Sequence, residues 1–233
     1  MKRLESTKMS KNCIAIPEKW LMPRPLFAQP LPGLEPVPMK AWKTLFDGKT
    51  LEGWVVRDKK ELWGVEQNAI HCLGMGGGYL HTADQYEDYV LALEFNVDKG
   101  ANSGVFIRWS DLNDPVNTGI EVQVIDSAGK ATPGKHDSGA LYDMVAPTTN
   151  TMKPAGEWNQ LLISCKGAVI SVVLNHTPVT SMDVSQYTEA GKNPDGTKNK
   201  FKFAMASLPR KGYIGFQNHG NRVWYRNILL LPI

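Results

Sequence analysis

From Ala41 to the C-terminus the chain is a succession of short runs rich in β-branched and aromatic residues, each closed by Gly, Asn, Asp or Pro, with no long helical period. Segment 90–97 sets Leu91, Leu93, Phe95 and Val97 against Ala92, Glu94 and Asn96, the period of a strand with one buried face. Segments 104–109 and 121–125 continue the pattern. Segments 160–165 and 169–174 meet at Gly167 as a hairpin, with Asn175 and His176 opening the next turn, and 214–217 and 223–231 add two more strands. Roughly ten strands exceed what one open antiparallel sheet holds before it curls or splits. The chain is therefore expected to be all-β, a two-sheet antiparallel β-sandwich.

The first 40 residues differ, with Pro17, Pro23, Pro25, Pro30, Pro32, Pro36 and Pro38 among them. Proline at that density removes backbone donors and fixes extended geometry, so 1–40 reads as a proline-rich arm or linker, expected as an unstructured tail although Trp20 and Leu21 could tether it, and 41–233 as one domain. A chain of 233 residues suits a single large β domain. Its net charge of +3 is spread without a basic stripe, so a small molecule is the expected partner and nucleic acid is not. Cys13, Cys72 and Cys165 lack metal-type spacing and do not fix the redox compartment. No run approaches the roughly 20 apolar residues of a membrane-spanning helix. Lys2, Arg3 and residues 25–29 resemble the two ends of a secretory signal, but Glu5, Lys8, Lys11, Glu18, Lys19 and Arg24 interrupt its middle, so no intact signal is read.

The strand 119–126 carries the most chemical information. Its period of two puts Val122 and Val124 on one face and Glu121 and Gln123 on the other, where an acid and an amide could grip hydroxyls in an outer groove or simply meet solvent. Arg108 is expected on the side of Phe106, opposite Val105, Ile107 and Trp109, as an anion fork or a surface ion pair. Gln217 and His219 share a face near the C-terminal end, and the imidazole could serve as base, acid or ligand. His136 and Tyr142 fall on a loop suited to a ligand or lid, whereas His71, His81 and His176 have no comparable setting. The charged run 193–200 reads as a solvated loop. Gly74, Gly76, Gly77 and Gly78 precede no helix, so a nucleotide cofactor is not expected, and Ser103 lacks the nucleophile elbow of a serine hydrolase.

Seven ordered motifs, Leu45–Trp54, Asn102–Arg108, the Glu121 strand, Ser138–Tyr142, Gly156–Asn159, Gly215–Gly220 and Arg226–Ile228, together resemble the 3-keto-disaccharide hydrolase domain family. The resemblance spans about 45–228 and implies a concanavalin-A-like jelly roll of the lectin and glucanase kind. It also implies a carbohydrate substrate: glycoside cleavage after a separate enzyme has oxidised the sugar at C3, often in exported proteins. A ketone at C3 acidifies the C2 hydrogen, and its removal expels the C1 substituent before water adds back. Such chemistry needs a base of raised pKa and an electrophile for the enolate oxygen. Glu121 or His219 could be the base; Arg108, Gln217, or a divalent cation held by Glu121 and a histidine could be the electrophile. Gln123, Asp126, His136, Tyr142 and Gln217 are the candidate substrate contacts. Two rivals remain at this point. A retaining glycosidase would need a second carboxylate about 5 to 5.5 Å from Glu121, for which Asp126 is the only strand candidate, since Gln123 is an amide. A carbohydrate-binding module would use Trp63, Tyr79 or Trp109 as platforms.

Overall fold

Among the described residues fifteen strands emerge, in chain order β1 (Ile14–Pro17), β2 (Leu34–Val37), β3 (Lys43–Thr44), β4 (Trp54–Arg57), β5 (Trp63–Glu66), β6 (Ala69–Leu73), β7 (Tyr79–Thr82), β8 (Tyr89–Val97), β9 (Asn102–Trp109), β10 (Ile120–Ile125), β11 (Asn159–Lys166), β12 (Val169–Leu174), β13 (Thr177–Asp183), β14 (Tyr213–Gln217) and β15 (Arg222–Pro232). The structure, a computed structural model, describes residues 13–21 and 34–233. The signal-like ends, at 2–3 and 25–29, and the side chain of Leu21 lie outside the described residues.

Two antiparallel sheets face each other. One has five strands in the order β10-β9-β14-β7-β4, and the other has eight, β13-β12-β11-β8-β15-β6-β5 with β3 beside β15. The fold is an all-β sandwich of the jelly-roll kind. Alternation decides what lies between the sheets: Leu91, Leu93 and Phe95 from β8 meet Val105, Ile107, Val122, Val124 and Phe216 in one buried cluster. Val122 and Val124 are fully buried there, as their period required. Deep within it, Phe216 stacks on Tyr225 with ring centroids 4.0 Å apart.

Two expectations are corrected. The N-terminal segment is no free arm where it is described, because β1 and β2 pair in parallel and Ala15, Ile16 and Trp20 are buried. With Trp42 they cover Val90, Ala92, Leu162 and Val173 on the outer face of the larger sheet, so apolar burial docks this extended, proline-bearing segment on the domain. Arg108 does not share the outer face with Phe106. It occupies a bulge with φ of 52°, where three residues of β9 span what β14 spans with two, and the extra residue reverses the alternation. Its guanidinium therefore turns inward, donating from Nη2 to the Gly167 carbonyl at 2.7 Å and lying 3.6 Å from Asp88. Trp109 is carried to the side of Phe106 instead, with ring centroids 5.8 Å apart.

Candidate active site

The outer face of the five-stranded sheet is built in two rows. Pairing aligns Glu121 with Phe106, Phe106 with Gly215, and Gly215 with His81. In the next row Gln123 opposes Gly104 and Gln217 opposes Tyr79, and the step beyond Phe216↔Val105 sets Gln217 against Gly104. The two glycines give this face its depth. A Cβ on Gly104 would meet the Glu121 carboxylate, and one on Gly215 would lie 2.9 Å from the Trp109 ring. Both side chains thus lie flat on backbone.

Glu121 is 7% exposed. Burial pushes its carboxyl up to about 7, while the positive charge of Lys200 pulls the other way. The segment 139–142 pairs with the otherwise open edge of β10, its Tyr142 N–H donating to the Glu121 carbonyl at 2.9 Å. This brings Tyr142 beside Glu121. Burial first, then the charges of Glu121 and Asp143, hold the Tyr142 phenol above its usual range. Its ring has the His136 imidazole at 4.6 Å and the Lys200 ammonium at 3.9 Å from its centre. His136 Nε2 lies 3.1 Å from Asp143 Oδ1, and the Lys200 backbone N–H donates to Asp143 Oδ2 at 2.8 Å.

Across the sheet, burial raises the Tyr79 phenol, a hydrogen bond with the Gln217 amide opposes this, and the charge of Glu121 adds to the rise. Gln123 donates from Nε2 to Asn102 Oδ1 at 2.6 Å, and its buried Oε1 has no partner among the described residues. His81, with Nδ1 2.8 Å from the Thr82 carbonyl, packs against Trp109 and Tyr213 and is lowered by burial, hence neutral near pH 7.

The structure thus joins Glu121, Gln123, Tyr142, Gln217 and, at one side, His136. His219 is exposed beyond β14, in an open groove that it lines together with Tyr79 and Gln217. Asp126 is not on this face: it follows β10, and its Oδ2 accepts from the Gly100 N–H at 2.9 Å, closing the β8–β9 turn. Of the aromatic platforms, Trp63 is in the inter-sheet core and Trp109 is fully buried, leaving Tyr79. Among the described residues no three His, Cys, Asp or Glu side chains gather to hold a metal ion. Sequence reasoning missed His81 and Lys200. The alternation of Tyr79 and His81 in β7 was a usable signal for the first; Lys200 sits in a turn whose folding no local period foretells.

Comparison with known proteins adds the family. The model of the 3-keto-alpha-glucoside-1,2-lyase-like domain matches residues 41–231. A 3-keto-disaccharide hydrolase from Bacteroides thetaiotaomicron is 28% identical over 83% of this chain and 79% of its own. Among solved structures, a candidate glycosyl hydrolase from Parabacteroides distasonis ATCC 8503 aligns with a TM-score of 0.73 and 35% identity, over 82% of this chain and 99% of that one. A second candidate from the same organism, 22% identical, aligns with a TM-score of 0.68 over 83% of this chain and 94% of its own, a likeness of fold.

Proposed function

The chain belongs to the 3-keto-alpha-glucoside-1,2-lyase-like domain family, and we propose on that premise that it is a glycoside-acting enzyme that cleaves 3-keto glycosides by elimination and hydration. The observation that carries this reading is Glu121: a single carboxyl, buried on the open face, with its pKa brought to about 7. A base works best when its pKa lies near the operating pH. Ionised Glu121 takes the hydrogen from C2, and the electrons of that bond pass to the C3 oxygen as an enolate. When the enolate collapses, C3=O re-forms, a C1–C2 double bond appears, and the C1 substituent departs with its bonding pair. Water then adds, hydroxyl to C1 and hydrogen to C2. The Gln217 amide and the Tyr79 and Tyr142 hydroxyls stand around Glu121 as hydrogen-bonding groups for the sugar, and the unpartnered Gln123 Oε1 can accept from a hydroxyl.

Ordinary retaining hydrolysis fits less well, because Gln123 is an amide and Asp126 is committed to Gly100. A binding module fits less well too, because two of its three platforms are buried. The test is turnover of matched 3-keto and unoxidised disaccharides by wild type, Glu121→Gln and His219→Ala. The oxidised substrate alone should be cleaved, with a loss of about 10²- to 10⁴-fold in Glu121→Gln. Equal cleavage of both sugars, or full activity without the carboxylate, would overturn the reading. His219→Ala reports whether the exposed imidazole shares the proton transfer or only lines the groove.

A further inference from the structure

We propose that Lys200 is a catalytic residue of this site, placing its ammonium where negative charge grows on the C3 oxygen as Glu121 removes the C2 proton. The inference rests on that elimination reading and deepens it. Three observations carry it. First, the backbone of Lys200 is pinned: its N–H donates to Asp143 Oδ2, and the next residue, Phe201, is buried in the inter-sheet core. The turn before it is closed by Asn193, which donates from Nδ2 to Thr197 Oγ1 at 3.0 Å and accepts at Oδ1 from Asn199 Nδ2 at 3.0 Å. The segment is thus built to present this one side chain.

Second, the ammonium of this exposed side chain lies over the ring of Tyr142, whose backbone N–H is hydrogen-bonded to the Glu121 carbonyl. Third, among the described residues it has no carboxylate within ion-pair distance; its contacts are the faces of Tyr142 and, at 5.9 Å, Phe201. Other lysines in the molecule do find acids, as Lys130 does Asp137 at 2.6 Å and Lys192 does Glu189 at 3.0 Å. A cation resting on aromatic faces beside a buried carboxyl is weakly committed and can turn to an anionic oxygen. On this face its charge acts on Glu121, the Tyr142 ring lies beneath it, and Asp143 and His136 adjoin it from the loop.

In the reaction the pair from the C2–H bond moves to the C3 oxygen, the proton stays on Glu121, and Lys200 remains protonated as an electrostatic partner. No co-reactant is required. The two halves can be separated with a 3-keto-1,5-anhydrohexitol, which has hydrogen in place of the C1 substituent. It can lose and regain the C2 proton but has no glycosidic oxygen at C1 to expel. In D₂O, wild type should erase its C2 proton resonance catalytically and Glu121→Gln should not. Lys200→Met should slow exchange by about 10²- to 10³-fold, the usual effect of removing one donor to a developing oxyanion, while Lys200→Arg restores part of the rate. Exchange by wild type that Lys200→Met leaves undiminished would overturn the role of Lys200 alone. Failure of wild type to exchange at all would overturn the elimination reading and this role with it. Because the side chain is exposed, melting of both variants should match wild type, which separates charge loss from misfolding.

Discussion

The carboxyl group of Glu121 rests on the backbone of Gly104, and nothing larger than hydrogen fits beneath it. Strand interiors disfavour glycine for its flexibility, so its presence here is explained by the carboxylate above it. A methyl group at 104 would overlap Glu121 Oε1, Cδ and Cγ and force the carboxyl off the sheet. Gly104→Ala should therefore keep a melting temperature near wild type and lose about 10²-fold in turnover of a 3-keto glycoside, the scale of a misplacement near 1 Å. Unchanged turnover would mean that the position of this carboxyl is irrelevant to the chemistry.

The same burial has a consequence for stability. Glu121 binds its proton more tightly in the native state, with a pKa of about 7 against the ordinary 4.5. The stability it contributes is complete below about pH 4.5 and is lost as pH rises through about 7. Glutamine, neutral throughout, escapes that loss. The difference between the two values corresponds to roughly 3 kcal/mol. Melting curves of wild type and Glu121→Gln should nearly coincide at about pH 4, and the variant should gain steadily toward pH 8. A constant offset across that range would show that the carboxyl is well solvated.

How much of this could be read in the sequence depended on whether local alternation was obeyed. Glu121 and Gln123 fell on the outer face, and Val122 and Val124 between the sheets, because β10 is regular and a period of two assigns faces without further knowledge. One bulge at Arg108 was enough to reverse the assignment of Arg108 and Trp109, since an inserted residue leaves no mark in residue type. Lys200 and Asp143 are 57 residues apart and meet only through folded turns, so neither pattern nor spacing could join them. The prolines of the N-terminal segment spoke for an extended chain, and β1 and β2 are extended, yet only the outer face of β8 and β11 shows what Trp20 covers.

Arg108 should matter to the fold and not to the reaction. Its Nη2 satisfies the Gly167 carbonyl, while Asp88 accepts from the Gly167 N–H at 3.1 Å, so one turn of the larger sheet is clasped from the smaller. Arg108→Ala would leave that carbonyl and a partly solvated carboxylate without the guanidinium. A loss of about 2 to 3 kcal/mol is expected, below the range for fully buried pairs because Asp88 still reaches water. Lysine should rescue poorly, since it lacks the planar fork. Denaturant melts give the loss, and turnover per folded molecule should stay at the wild-type level; a selective fall in turnover would return Arg108 to the site.

Truncation of residues 1–38 tests what the N-terminal segment contributes. It would strip Ala15, Ile16 and Trp20 from the outer face of the larger sheet and expose Val90, Ala92, Leu162 and Val173. The inter-sheet cluster built on Leu91, Leu93 and Phe95 lies on the opposite face of the same strands and keeps all its partners. The two faces are separable because alternate residues of one strand serve different layers. The truncated chain should therefore still unfold in one cooperative transition, at a lower midpoint, and should aggregate more readily through its uncovered apolar patch. Trp20→Ala alone should reproduce much of the shift, on the order of 3 kcal/mol for a buried aromatic. Loss of the cooperative transition would make the segment integral to the sandwich, and an unaltered midpoint in both variants would show that its packing adds nothing to stability.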